Sequence, residues 1–388
     1  MSRRSGEQFR CCRLFQNLAL AVMVSITLFL SCSSESGKDT GEAGSESQVA
    51  TSKIPVIFDI KRGTNISHWL SQSQARGESR KTYFERKDVK FLAGIGFDHL
   101  RFPIDEEQMW DEQGNMEAEA FELLNSALDW CAEYNLKAII DLHIVRAHHF
   151  NEENRPLWKD AEAQKNFQKF WRDISSQFKN RPNNMVAYEI MNEPVADDPE
   201  DWNKLVAATI NTIRGLEPDR IIFVGSNMWN SVNTFDVLRI PENDKNLVLS
   251  FHFYIPMPLT HYTAGWTKVG EYTGSVHYPG LTVPENELEG LPDDLVDAID
   301  NRVYNRGVLA DLIAQPLAVA RKHNLQLHLG EWGCYEPSPV EDRLRWYADV
   351  RSICEENNIA WTTWDYKGGF GVVSDGKPVQ NLIDTLLK

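Results

Sequence analysis

Positive charge is what this 388-residue chain lacks most: 40 Lys and Arg stand against 56 Asp and Glu, a net charge of −16 at pH 7. DNA or RNA binding requires a basic face that displaces counterions, so a nucleic-acid partner is excluded. Long apolar runs are missing too. The run Leu18 to Leu30 falls short of the roughly 20 residues that a bilayer-spanning helix needs. Cysteine is sparse at six residues, and Cys131, Cys334 and Cys354, which follow the N-terminal region, are odd in number and far apart, which is no disulfide framework. No GxGxxG follows the first strand candidate, which disfavours a dinucleotide fold. What the chain does have is 42% hydrophobic residues, enough for a packed core rather than disorder, and 11% aromatic residues with 12 tryptophans. Flat rings of that kind stack well on flat apolar ligand faces, sugars among them.

Arg3, Arg4, Arg10 and Arg13 precede the Leu18–Leu30 run, the pattern of an export signal over residues 1–31. The run ends in Leu28-Phe29-Leu30-Ser31-Cys32, which resembles a bacterial lipobox with Cys32 as the lipidated residue. Residues 32–53 are rich in Ser, Gly and Glu and carry no aromatic residue, so they read as a flexible tether. The expectation is an extracytoplasmic lipoprotein, on the outer membrane or cell surface, whose only membrane contact is the anchor.

Residues 54–388 alternate short β-branched or aromatic runs with longer amphipathic segments, with no internal linker. Strands are expected at 56–60 or 64–66, then at 99–104, 138–143, 186–191, 221–225, 247–254, 327–331 and 360–366. Helices are expected at 85–92, 120–134, 161–178, 202–216, 303–323 and 340–356, with a weak, short fifth crossover near 235–239. Eight β/α units predict an α/β fold, a (β/α)8 TIM barrel forming a single monomeric domain. Cys131 and Cys354 fall on helices as small buried side chains.

Functional groups of such barrels stand at the C-terminal ends of strands. Those ends carry Arg101, then Asp141 and His143, then Asn192-Glu193-Pro194, then His252 and Tyr254, then Glu331, then Trp364 and Asp365. Structural capping accounts for one or two polar strand ends, not for this convergence. In order, the motifs HLRFP, DLH, IMNEP, SFHFY, LGEWG and WTTWDYKGG resemble those of glycoside hydrolase family 5, the cellulase family of retaining (β/α)8 enzymes, from about Gly63 to Gly371.

The resemblance implies hydrolysis of β-linked polysaccharide or oligosaccharide without cofactor or metal. Retaining hydrolysis uses two carboxyl groups about 5–5.5 Å apart. Glu193 is the expected acid/base and Glu331 the expected nucleophile. By the same resemblance Arg101 and Tyr254 support Glu331, and His252 lies near Glu193 and substrate. Asn192 binds the sugar 2-hydroxyl and His143 a neighbouring one. Trp364 stacks on a pyranose, and Lys367 contacts sugar. Trp69, and Trp266 in the long segment after Tyr254, are candidate subsite aromatics; Tyr262, Tyr272 and Tyr278 are either platforms or the core of that segment. His143, His148 and His149 lack an acidic or cysteine partner at metal-ligand spacing and read as loop residues; Asp141 holds His143 or a loop, and Cys334 is packing. The expected activity is endo-β-1,4-glucanase. β-Mannanase, xyloglucanase and exo-β-glucanase use the same pair, and a non-catalytic glycan-binding lipoprotein is the alternative from another class.

Overall fold

The computed structural model describes residues 53–388; the export signal, Cys32 and nearly all of the expected tether lie outside the described residues. Eight strands form a closed barrel: β1 (Arg62–Asn65), β2 (His99–Asp105), β3 (Lys137–Ile144), β4 (Val186–Glu189), β5 (Ile222–Gly225), β6 (Leu247–Phe253), β7 (Gln326–Trp332) and β8 (Ala360–Thr363). Every pairing is parallel, and β1 closes on β8 with Arg62 opposite Trp361 and Thr64 opposite Thr363. All residues of β2, β6 and β7 are buried, because the barrel interior takes one face and the helices the other.

The main helices are α1 (Arg86–Ile95), α2 (Ala118–Glu133), α3 (Ala161–Phe178), α4 (Pro199–Arg214), α5 (Arg306–His323), α6 (Val340–Glu356) and α7 (Gln380–Leu387). Their ends are written in the sequence. Asp160 caps α3 by accepting from the Glu162 and Ala163 amides, and Asp198 followed by Pro199 opens α4. The fifth crossover is a short 3-10 turn, Val232–Val237, as its weak pattern suggested.

Several boundaries differ for physical reasons. The 56–60 alternative is no strand: Phe58 and Ile60 plug the barrel floor with Ile139, Phe223 and Val248, and the Gln326 side chain binds the Ile57 and Phe58 backbone. The expected start of α5 at Val303 belongs instead to a two-residue strand, Val303–Tyr304, paired antiparallel with Gly280–Leu281, and α5 begins after the Asn305 cap. β4 and β8 end earlier than expected because residues 190–194 and 364–366 leave the strands to carry side chains across the mouth. Above the floor lies a polar layer in which His99 and His328 both contact Thr362 Oγ1, at 2.8 and 2.7 Å. Among the described residues no helix is long and apolar enough to cross a membrane.

Candidate active site

Arg101, in the middle of β2, points into the barrel and is completely buried. A guanidinium has five N–H groups, and five acceptors surround this one. Nε donates to Glu189 Oε2 (2.7 Å), Nη1 to Asn65 Oδ1 and Glu331 Oε1 (both 2.8 Å), and Nη2 to Asn192 Oδ1 (2.9 Å), with Asp141 Oδ2 3.1 Å from Nη2. Burial alone would favour loss of its proton; the Asp141, Glu189 and Glu331 carboxylates overcome this and hold it charged. One side chain therefore fixes residues from β1, β3, β4, the segment after β4, and β7.

Glu331 is held on its other oxygen by Tyr254, whose hydroxyl donates to Oε2 at 3.1 Å. His252 Nδ1 lies 2.9 Å from Glu193 Oε1 and 3.7 Å from Glu331 Oε2. One oxygen from each glutamate and one His252 nitrogen fall within 4.8 Å of one another. Three such atoms could also face a cation, but Arg101 and Tyr254 already occupy Glu331 and His252 contacts Glu193.

Electrostatics separates the two carboxyls. Burial, then the charge of Glu331, pushes Glu193 well above the usual carboxyl range. Burial raises Glu331 too, but there Arg101 and the Tyr254 hydrogen bond oppose the rise. Burial drives His252 well below its ordinary value, assisted by Arg101, so the imidazole is neutral. Tyr254 is raised by burial and by Glu331, and stays a donor.

Asn192 gives its carbonyl oxygen to Arg101, leaving a buried Nδ2 without a protein partner at the cavity wall. His143 Nδ1 sits 2.7 Å from Asp141 Oδ2, which confirms that Asp141 holds it. Burial lowers His143 to about 3 and raises Asp141 to about 7, so His143 is neutral. The Trp364 ring lies parallel to His143, centroids 5.5 Å apart at 8°. Glu193, Glu331, His252, Tyr254, Asn192, His143 and Trp364 border one cavity of about 1550 Å³.

Not every expected site residue reaches that cavity. Trp69 is 1% exposed: its Nε1 donates to Arg80 O and its ring packs on Phe84 and Phe102, so it is core. Lys367 turns away to Tyr83 O (2.8 Å) and Asp88 Oδ1 (3.1 Å) and holds the β8 loop against α1. Trp266 does stand at the rim, 54% exposed and edge-on to Tyr335 at 4.9 Å. Tyr272 and Tyr278 are the core of the long segment, with hydroxyls on Glu287 and Asp349, and the Tyr262 hydroxyl serves Thr273 O. His148 is buried and accepts from the Val195 amide, whereas His149 lines the cavity. Cys334 is buried, with burial pushing its thiol up to about 12.

Two ring-bearing cavity residues, His68 and Trp229, stand out among those the sequence did not mark. Trp229, 41% exposed, stands on a run of left-handed residues, Met228, Trp229 and Asn230, after β5. His68 follows β1, also with positive φ. Trp229 stands past β5, whose end carried no expected site residue, and His68 directly precedes Trp69, the residue expected in the β1 loop.

The profile of the family described as "Cellulase (glycosyl hydrolase family 5)" matches residues 63–369. Endoglucanase C of Acetivibrio thermocellus is 29% identical over 348 residues, covering 86% of this chain and 99% of that protein. Cellodextrinase A of Ruminococcus flavefaciens is 27% identical, covering 78% and 84%. Among solved structures, Thermotoga maritima Cel5A in complex with mannotriose superposes with TM-score 0.69 at 22% identity, over 84% of this chain and 97% of that one. The Clostridioides difficile cellulose synthase subunit Z gives TM-score 0.69 at 23%, over 85% and 100%. At these identities the structural likeness speaks to the fold.

Proposed function

The chain belongs to the cellulase family, glycosyl hydrolase family 5, and from that premise we propose that it is a retaining endo-β-1,4-glucanase with Glu193 as acid/base and Glu331 as nucleophile. The observation that carries the proposal is the approach of the two carboxyls, one oxygen of each lying within 4.8 Å of the other. That suits the roughly 5–5.5 Å of retaining enzymes better than the roughly 6.5–9.5 Å of inverting pairs, which hold a water between the carboxyls. The endoglucanase relative, matched along 99% of its length, supports the choice of substrate.

The steps follow from the charges. Protonated Glu193 gives its proton to the glycosidic oxygen as the C1–O bond breaks, and ionised Glu331 attacks C1 to form a glycosyl ester. Ester formation removes the Glu331 charge that had raised Glu193. Glu193, its pKa now lower, takes a proton from water, which attacks C1 and frees Glu331. Neutral His252 close to Glu193 adds no charge through the cycle. Asn192 Nδ2 is free to bind a sugar hydroxyl, and Trp364 offers a ring face.

Soluble protein from Lys53 onward should release mixed oligosaccharides from a β-1,4-glucan. Glu331→Gln should abolish turnover and keep sugar binding; full activity in that variant would sink the assignment. Glu193→Ala should retain turnover of aryl β-cellobiosides with good leaving groups and gain from added azide.

We further propose that Cys32 anchors a monomeric enzyme to an extracytoplasmic membrane surface. The arginine-flanked apolar run and the lipobox-like Leu28–Cys32 stretch support this. Cys32→Ala should move the protein from the membrane fraction to the soluble one; unchanged fractionation would refute the anchor.

A further inference from the structure

We propose that His68 is a specificity-determining residue on the glycone side of the cleft, where its Nε2 hydrogen-bonds a hydroxyl of the β-glucan chain. The inference rests on the endoglucanase reading above and deepens it.

Proton bookkeeping fixes the donor at Nδ1. Asp365, fully buried after β8, accepts the hydroxyl proton of Ser67 on Oδ2 and the Gly368 amide at 3.1 Å on Oδ1. A serine hydroxyl has one hydrogen, and this one is spent on Asp365. His68 Nδ1, 2.8 Å from Ser67 Oγ, must therefore be the donor in that contact. Asp365 Oδ2, 3.6 Å from the same Nδ1, favours the same arrangement. His68 then carries a proton on Nδ1, and its Nε2 has no hydrogen-bond partner among the described residues.

Position decides what meets that nitrogen. The His68 side chain is 45% exposed, lines the main cavity and sits 6.3 Å from the Trp364 ring, centroid to centroid. In the barrel order β4 stands across from β8, and β1 adjoins β8. Glu193 follows β4 and protonates the departing aglycone, so the β8 and β1 loops face the retained sugar units. His68 holds φ 57, a costly conformation for a residue with a Cβ. The buried Ser67–Asp365 pair keeps it there. The arrangement is not an esterase triad. Ser67 and Asp365 address the same imidazole nitrogen, so no base is available to take the serine proton.

The test measures kcat and KM on aryl β-cellobioside for the wild type, His68→Leu and His68→Gln, with Glu331→Gln as the inactive control. His68→Leu should lower kcat/KM about tenfold, mainly through KM, the size expected for one neutral hydrogen bond. His68→Gln, whose amide reaches the place of Nε2, should recover most of it. Both variants should bind cellotriose in the Glu331→Gln background in the same order. Unchanged KM in His68→Leu, or an equal loss in His68→Gln, overturns the inference while leaving the endoglucanase reading intact. A wild type that cleaves no β-glucan overturns both.

Discussion

Arg101→Lys is the substitution that most directly tests whether one buried guanidinium organises the site. Lysine keeps the charge but offers three N–H donors in place of five. At least two of Asn65, Asp141, Glu189, Asn192 and Glu331 must then lose their partner in a region with no exposure to water. Each buried polar group left unpaired costs about 1–3 kcal/mol, so the variant should lose about 2–6 kcal/mol of stability. In a domain of this size that lowers Tm by roughly 3–9 °C in a calorimetric scan. Activity should fall for a separate reason, because Glu331 and Asn192 lose the shared brace that aims them at the substrate. The loss should appear in kcat, by about 10²–10³-fold, the cost of removing one preorganised donor from a reacting charge. KM should move little, since Arg101 does not line the cavity. Glu189→Gln is the milder companion: it keeps an acceptor for Nε and should cost less on both counts. A lysine variant with kcat within threefold of wild type and Tm within 2 °C would refute the brace, in the sense that the estimate of about 2 kcal/mol as a minimum could not stand.

Two further predictions concern groups outside the glutamate pair. Burial raises Asp105 to about 8, opposed by the Gln72 and Ile144 amides. Its unfolded value is about 3.9, so between those values the folded state binds the extra proton and stability falls as pH rises, by up to ~1.4 kcal/mol per unit. Urea unfolding of wild type and Asp105→Asn at pH 5, 6, 7 and 8 should show the wild type losing stability across the series relative to the variant; parallel curves would contradict the assigned direction. The Cβ of Gly225→Ala would lie 2.0 Å from Asn230 Oδ1, which itself sits in the left-handed run that carries Trp229. That variant should lose about 1–3 kcal/mol by overpacking and raise KM for long cello-oligosaccharides more than for aryl cellobioside; an unchanged ratio of the two KM values would remove Trp229 from the substrate path.

The barrel was legible because its two periodicities are imposed by burial. β2, β6 and β7 are buried along their whole length and so appear as short runs rich in apolar residues, while α3 and α6 begin and end where the sequence pattern places them. The floor was harder: Val56 to Ile60 has strand composition, yet its backbone is satisfied in part by the Gln326 side chain rather than by a ladder. Composition records that a segment is buried and β-branched, and it cannot record which partner takes its hydrogen bonds. Gln326, more than 250 residues later, carries no local mark of that role. α7 and the two-residue strands were overlooked for the related reason that eight or fewer residues give too short a window for periodicity to rise above chance.

The site divides along the same line. Most groups on strands were located, because alternation along a strand fixes which side chains face the axis, although Asn65 on β1 and Glu189 on β4, which Arg101 in β2 meets inside the barrel together with Glu331, were not. Groups in the loops were located only by neighbourhood in sequence, and neighbourhood does not give direction. Trp69 follows His68 directly, yet one ring is buried against Phe84 and the other borders the cavity. Lys367 lies three residues after Trp364 and turns to Asp88 instead. In both loops the deciding contact comes from a distant element: the Arg80 carbonyl captures the Trp69 indole, and Asp88 on α1 captures the lysine. A loop side chain near a catalytic strand therefore belongs to the site only when no buried acceptor or apolar pocket competes for it. His68 meets that condition at Nε2, because its one committed nitrogen is held by Ser67 and the other is left facing the cleft.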